Sequence, residues 1–287
     1  MHDARYRQLS LAAGWLFLIT FIPSPAVGSE ANDELRALQA RAKTLEAGKP
    51  APGDWKKLET AYSRLVKAYP RDVAIRDAHG DFLLGRDDRE GALREWLAAE
   101  KLDPKNVAVL NHLAEIYLTT GDVRQAFDHY LRASDLEPAD PIAHFNVANV
   151  ACVFRHEIGK TETEALELAL RHFAVAHRLA PQNAELARAY AETFYVVPSP
   201  DWKSALKAWQ AHLGLVTEKN FTLLNLARVH MKLGQADEAR ACLQQVQGPE
   251  NQRLKARLAA RIDSELTPHG GPENSQKPVI DGPRPLP

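Results

Sequence analysis

Thirteen residues, ALREWLAAEKLDP from Ala92 to Pro104, return as AFDHYLRASDLEP from Ala126 to Pro138 and as ALRHFAVAHRLAP from Ala169 to Pro181. No other feature limits the fold as severely, because a period of a few tens of residues means one small structural unit copied and stacked. The closing prolines, with Pro70 before them, stand 34, 34 and 43 residues apart. The opening alanines extend the series through Ala205 and Ala239, at intervals of 34, 43, 36 and 34. Two independent markers thus agree on a basic unit of 34 residues.

Each unit carries two helical patterns. Leu110, Leu113, Ala114 and Tyr117 fall three to four apart and line one helix face. After Thr119, Thr120, Gly121 and Asp122 a second pattern follows in Ala126, Tyr130, Ala133 and Leu136. Gly121 stands where a left-handed residue ends a helix, and Asp122 can cap the next one. Gly234 marks the same turn in the last unit. Ala92 with Trp96, Ala126 with Tyr130, Ala169 with Phe173 and Ala205 with Trp209 each pair a small residue with an aromatic. The small residue lets two helix axes approach to about 8 to 10 Å, and the aromatic fills the space beside it. The proline stops each second helix, and since one hairpin cannot bury its apolar face alone, the units must stack.

This pattern resembles the tetratricopeptide repeat family, whose 34-residue helical hairpin reads W-x2-L-G-x2-Y and then Ala, Phe and Pro at set distances. Val107 to Asp140 matches best, with Leu110, Leu113, Ala114, Tyr117, Ala126, Tyr130, Ala133 and Pro138 on the motif positions. The tryptophan position is taken by Arg76, Leu110, His144, Ala187 and Leu223, and the small position by Gly80, Ala114, Ala148, Ala191 and Ala227. The resemblance implies an all-α fold, a right-handed α-solenoid of stacked helical hairpins with a C-terminal capping helix. Five units begin near Val73, Val107, Pro141, Glu185 and Lys219 and fill residues 73–248. A weaker hairpin occupies 29–72, and the charged helical stretch 249–266 reads as the polar cap of a stack.

The interval of 43 places nine extra residues around Arg155 to Glu164 inside one hairpin. They are predicted to form a longer first helix with a solvated turn, or else a rim contact for a partner. Before the repeats, Arg5 and Arg7 precede an apolar run from Leu9 to Ile22 and small residues at Ala26 and Gly28, the three-part pattern of a secretory signal over 1–28. Fourteen apolar residues rise roughly 20 Å as a helix, short of the ~30 Å hydrocarbon layer, although the segment kept as an anchor is the competing reading. Export to a periplasm or beyond the cell follows from it as an expectation. The last segment, 267–287, holds six prolines and three glycines and cannot build a packed core.

Composition excludes more than it assigns. The chain has 36 basic and 37 acidic residues, interspersed, so no basic run is available to neutralise phosphates and nucleic acid is not expected as a partner. His156-Glu157 begins H-E-x-x-H, but Lys160 stands where a second ligand would be needed, and no metal or other cofactor is expected. Cys152 and Cys242 fall two units apart, too far for a bridge, and are expected as free thiols. For direct catalysis Glu115, Glu192 and Arg188 are the sole candidates, and no catalytic residue is assigned.

What remains is a binding surface. In the resembling family the first helices line a concave wall. Register then places Asn111, Glu115, Phe145, Asn146, Asn149, Arg188, Glu192, Asn225, Arg228 and Lys232 toward a protein or peptide partner. Asn146 and Asn225 hold the places where related grooves resemble an asparagine ladder along a peptide backbone, unless these amides merely tie helices together. Asp77 and Asp81 stand where a basic carboxylate clamp would begin, which disfavours that mode. The expectation is a non-catalytic interaction scaffold, with an accessory module of an envelope-assembly or cell-wall enzyme complex as the alternative.

Overall fold

The computed structural model describes residues 29–51 and 53–266, so the signal segment expected over 1–28 and the tail expected over 267–287 lie outside the described residues. Thirteen α-helices and no strand occur among these residues. They are α1 (Ser29–Ala47), α2 (Asp54–Ala68), α3 (Val73–Leu84), α4 (Arg89–Leu102), α5 (Val107–Thr120), α6 (Val123–Leu136), α7 (Pro141–Val153), α8 (Glu162–Leu179), α9 (Ala184–Thr193), α10 (Trp202–Leu215), α11 (Asn220–Lys232), α12 (Ala236–Gln245) and α13 (Gln252–Leu266). None of the described helices is long and apolar enough to cross a membrane. The chain divides into two compact units, one ending at Ser199 and the other beginning at Pro200.

In the first unit, helices α1 to α9 pack against their chain neighbours in order, as stacked hairpins should. The marker residues form the seams. Ala92, Trp96 and Ala99 of α4 are fully buried. Trp96 lies against Gly80 so tightly that a Cβ there would come within 2.5 Å of the indole Nε1. In the following hairpins the small residue is Ala114 or Ala148, which share a core with Tyr130 and Phe173. In these three hairpins the largest ring stands beside the smallest residue, since close-packed interiors tolerate neither gap nor overlap. In the second unit α10 to α13 pack in chain order around Leu223, Ala227, Leu243, Leu258 and Ile262.

The helix starts obey one local rule. Asp72, Asn106, Asp140 and Asn183 stand two residues after Pro70, Pro104, Pro138 and Pro181, and each side chain accepts a backbone N–H of the first turn. An Asx residue in that position satisfies donors the helix leaves orphaned. Gly121 takes φ 87° and Asp122 accepts from Gln125 N at 3.2 Å, as the turn chemistry requires. The tryptophan position has its own logic here. Arg76 donates from Nε and Nη2 to the Pro70 carbonyl at 3.0 and 2.8 Å, and His144 Nε2 donates to the Pro138 carbonyl at 3.0 Å. Where the position is Leu110, Arg132 reaches Pro104 O instead, at 2.9 Å. A polar side chain thus closes the end of the preceding helix in place of an indole.

The insertion departs from expectation. Helix α7 keeps thirteen residues, while α8 grows to eighteen and starts a full turn earlier relative to its marker alanine. A capping box explains the early start: Thr161 accepts from Glu164 N, and the Glu164 carboxylate accepts from Thr161 N. The connecting loop is anchored by Phe154 and Ile158, only 3% and 2% exposed inside the core of α5 to α8, while His156, Glu157, Gly159 and Lys160 are exposed as a solvated turn should be. Ile158→Ala should therefore cost about 2–5 kcal/mol in a denaturant titration. A change within roughly 0.5 kcal/mol, typical of surface sites, would show that the loop carries no core.

Candidate functional site

Counting from the first residue of each first helix in the first unit, position five holds Asp77, Asn111, Phe145 and Arg188. Position nine holds Asp81, Glu115, Asn149 and Glu192. Residues four apart share a helix face, and between α3 and α5 a side-chain contact joins the columns. His112 of α5 makes the join: its Nδ1 lies 2.8 Å from Asp77 Oδ1 and its Nε2 lies 3.4 Å from Asp81 Oδ1, both on α3. The ring is 7% exposed and leans on Trp96, with centroids 4.9 Å apart.

The electrostatics of this patch follow from burial and charge of one sign. Burial alone would keep His112 neutral, but the Asp77 hydrogen bond and the charges of Asp81, Asp77 and Glu115 outweigh it and raise the imidazolium pKa to about 9. Asp81 is pushed up to about 6, first by the protein that crowds its carboxylate, with His112 opposing and Asp77 and Glu115 adding. Its side chain nevertheless keeps 51% of its surface in solvent, so water remains able to reach it. Burial likewise raises Glu115, against the pull of His112, and Glu192, against the pull of Arg188. Every carboxylate in the position-nine column is thus held above its ordinary range.

Asp77, Asp81 and His112 present an oxygen or nitrogen each within 4.8 Å of one another, a set able to hold a cation. In this arrangement both imidazole nitrogens already face a carboxylate, so the protonated ring is itself the cation between them.

The site residues expected from the sequence separate into distinct environments. Asn111, Asn146 and Asn149 are half-buried, and no side-chain hydrogen bond holds their amides among the described residues. The Oδ1 of Asn111 is fully shielded and still unpartnered. Glu115 makes no hydrogen bond or ion pair among these residues either. Arg188 and Glu192 are exposed. Phe145 is half-buried, with its ring packed edge-on against Phe173 at 5.7 Å, so part of it serves the core.

Asn225, Arg228 and Lys232 belong to the second unit. Asn225 is only 3% exposed, donates to Phe221 O at 3.0 Å and accepts from Arg228 Nη1 at 3.0 Å. Its amide serves the helix, the second of the two roles open to it in the sequence. Lys232 lies over the Trp202 ring at 5.9 Å. Cys152 and Cys242 are both free thiols, each raised above its usual pKa by burial first.

Sequence reasoning missed His112. Its signal was the repeat register: a residue at position six of one first helix meets positions five and nine of the preceding one. Aligning the units on Val73 and Val107 would have placed it between Asp77 and Asp81.

Known proteins agree with this architecture. The tetratricopeptide repeat profile matches residues 107–140, and a second profile of the same description matches 221–248. The photosystem I assembly protein Ycf3 of Synechococcus elongatus is 31% identical over 130 residues, covering 42% of this chain and 70% of that protein. The Ycf3 of a second Synechococcus strain matches equally. Among solved structures, YrrB, described as a TPR protein with an unusual peptide-binding site, superposes with a TM-score of 0.56 at 14% identity, covering 71% of this chain and 98% of its own. The pilF protein of Pseudomonas aeruginosa gives 0.54 at 16% identity, covering 83% and 100%. The two structural likenesses bear on fold alone. With 34-residue markers, stacked hairpins and a relative matched over most of its length, this chain belongs to the tetratricopeptide repeat family.

Proposed function

We propose that the chain is an exported, non-catalytic scaffold that holds a protein or peptide partner against the face shared by its first helices. One observation carries this reading: Asn111, Asn146 and Asn149 present half-buried amides on successive first helices, and no side-chain hydrogen bond from the described residues satisfies them. An amide offers donors and an acceptor together, which suits the backbone of an extended chain. A polar group left unpaired in a shielded place costs about 1–3 kcal/mol, and Asn111 Oδ1 is such a group, so this surface is suited to a partner that completes it. YrrB carries a peptide-binding site and Ycf3 is an assembly protein, which favours the same general kind of role here. Export rests on the basic, apolar and small-residue order of residues 1–28.

A photo-crosslinking residue placed in turn at Asn146, Asn149 and the exposed Arg171 of α8 tests the surface. Illumination in the native cell should capture a partner from Asn146 and Asn149 and not from Arg171. Capture from Arg171 alone would overturn the proposal.

A further inference from the structure

Deepening that reading, which it requires, we infer that the partner of the first unit is a basic polypeptide segment whose Lys or Arg side chains dock on the column of Asp81 and Glu115. Four features of the first unit bear on this column. The Glu115 carboxylate is half-buried with no hydrogen bond or ion pair among the described residues. Beside it on α5, the shielded Oδ1 of Asn111 has no donor. Tyr130, 5% exposed, has a hydroxyl without a hydrogen-bond partner among the described residues, near enough to Glu115 that this charge adds to burial in raising its pKa. Tyr62, 2% exposed and equally unpartnered, stands in the same relation to Asp81.

All four are acceptors, or can act as acceptors, and all lie in a field made negative by Asp77, Asp81 and Glu115. His112 is the one cation within the cluster, and its two nitrogens are occupied by Asp77 and Asp81. Nothing comparable is left for Glu115. An ammonium carries three donors and a guanidinium five, and hydrogen bonds to charged groups are the strong ones. Such a group would pair with the Glu115 carboxylate, while an acidic partner would meet repulsion from the whole cluster.

Spacing narrows the segment. Neighbouring helices stand about 8–10 Å apart, and an extended chain advances about 3.3 Å per residue. A basic residue at roughly every third position therefore matches Asp81 and Glu115 in turn.

The test uses the full chain and fluorescein-labelled Lys-Ser-Ser, Glu-Ser-Ser and Gln-Ser-Ser repeat peptides, read by anisotropy. The lysine peptide should bind in a salt-sensitive way and the other two should not. Glu115→Gln should weaken it roughly tenfold, and adding Asp81→Asn should weaken it further. Unchanged thermal melts would show that both variants stay folded. Equal binding of the glutamine or glutamate peptide, lost on crosslinker-mapped blockage of Asn146, overturns the charge preference and leaves the first-helix surface standing. Lysine-peptide binding indifferent to both substitutions overturns the inference too. So does binding of Zn²⁺ or Mn²⁺ alone that depends on Glu115 and excludes the peptide, because the cluster would then be a metal site. Crosslinks of the native partner confined to Arg171 remove both readings together.

Discussion

Trp96→Ala is expected to lower stability by about 3–5 kcal/mol, the cost of an aromatic lost from a site that cannot collapse. The indole is fully buried, and it fills the gap opened by a glycine at position 80, where its near neighbours in the stack have alanine. The complementary change makes the case sharper. Gly80→Ala places a methyl 2.5 to 2.9 Å from three atoms of that ring, which is closer than real contacts come. The ring is not the loose end of a flexible chain, so about 1–3 kcal/mol of overpacking should follow. Combining Gly80→Ala with Trp96→Phe should cost less than the two changes summed, because alanine beside a smaller aromatic is the arrangement the next hairpins use. Urea titrations of the four proteins give the coupling directly, and strict additivity would mean that the two residues do not share a crossing.

His112→Asn should also be destabilising at neutral pH. Removing the buried imidazolium leaves its carboxylate partners uncompensated, at a cost of about 1–3 kcal/mol because Asp81 is half in solvent. Here the survivors would be Asp77 and Asp81, with Glu115 close by. The pH dependence separates charge from packing. The folded pKa of His112, about 9, lies above its ordinary 6.5, so its stabilisation is complete below about pH 6.5 and is lost as pH rises through about 9. Asp81 acts in the opposite sense within the acid range. Its carboxyl, raised from 3.8 to about 6, favours the fold most while protonated and gives up that contribution as pH rises from about 4 through about 6. Melting temperatures of wild type and His112→Asn should therefore differ most between about pH 6 and 7 and converge above about pH 9. A constant difference across that range would mean that the ring contributes through its contact with Trp96 and not through its charge.

The opposite fates of Asn146 and Asn225 show where linear reasoning ran out. Both are asparagines at position six of a first helix, and the repeat treats them alike. Asn146 keeps an unspent, half-buried amide, whereas Asn225 is enclosed and bonded to Phe221 O and Arg228. Position on a helix is set by periodicity, but exposure is set by what packs opposite, which belongs to other parts of the chain. The insertion teaches a related lesson. Its polar residues read as a solvated turn, but Ile158 supplied an anchor for the core and Thr161 with Glu164 supplied a cap that moved the helix start.

Local chemistry alone determined the period, the hairpins, the turn at Gly121 and the Asx caps, because each depends on residues within a few positions of one another and is repeated until chance cannot produce it. Where the compact units divide, which amides stay unpaired, and how His112 comes to lie between two carboxylates of the preceding helix were decided only in the folded chain. Charge and burial act through space, and the sequence separation of 35 from Asp77 to His112 holds no record of the 2.8 Å between them once the helices stack.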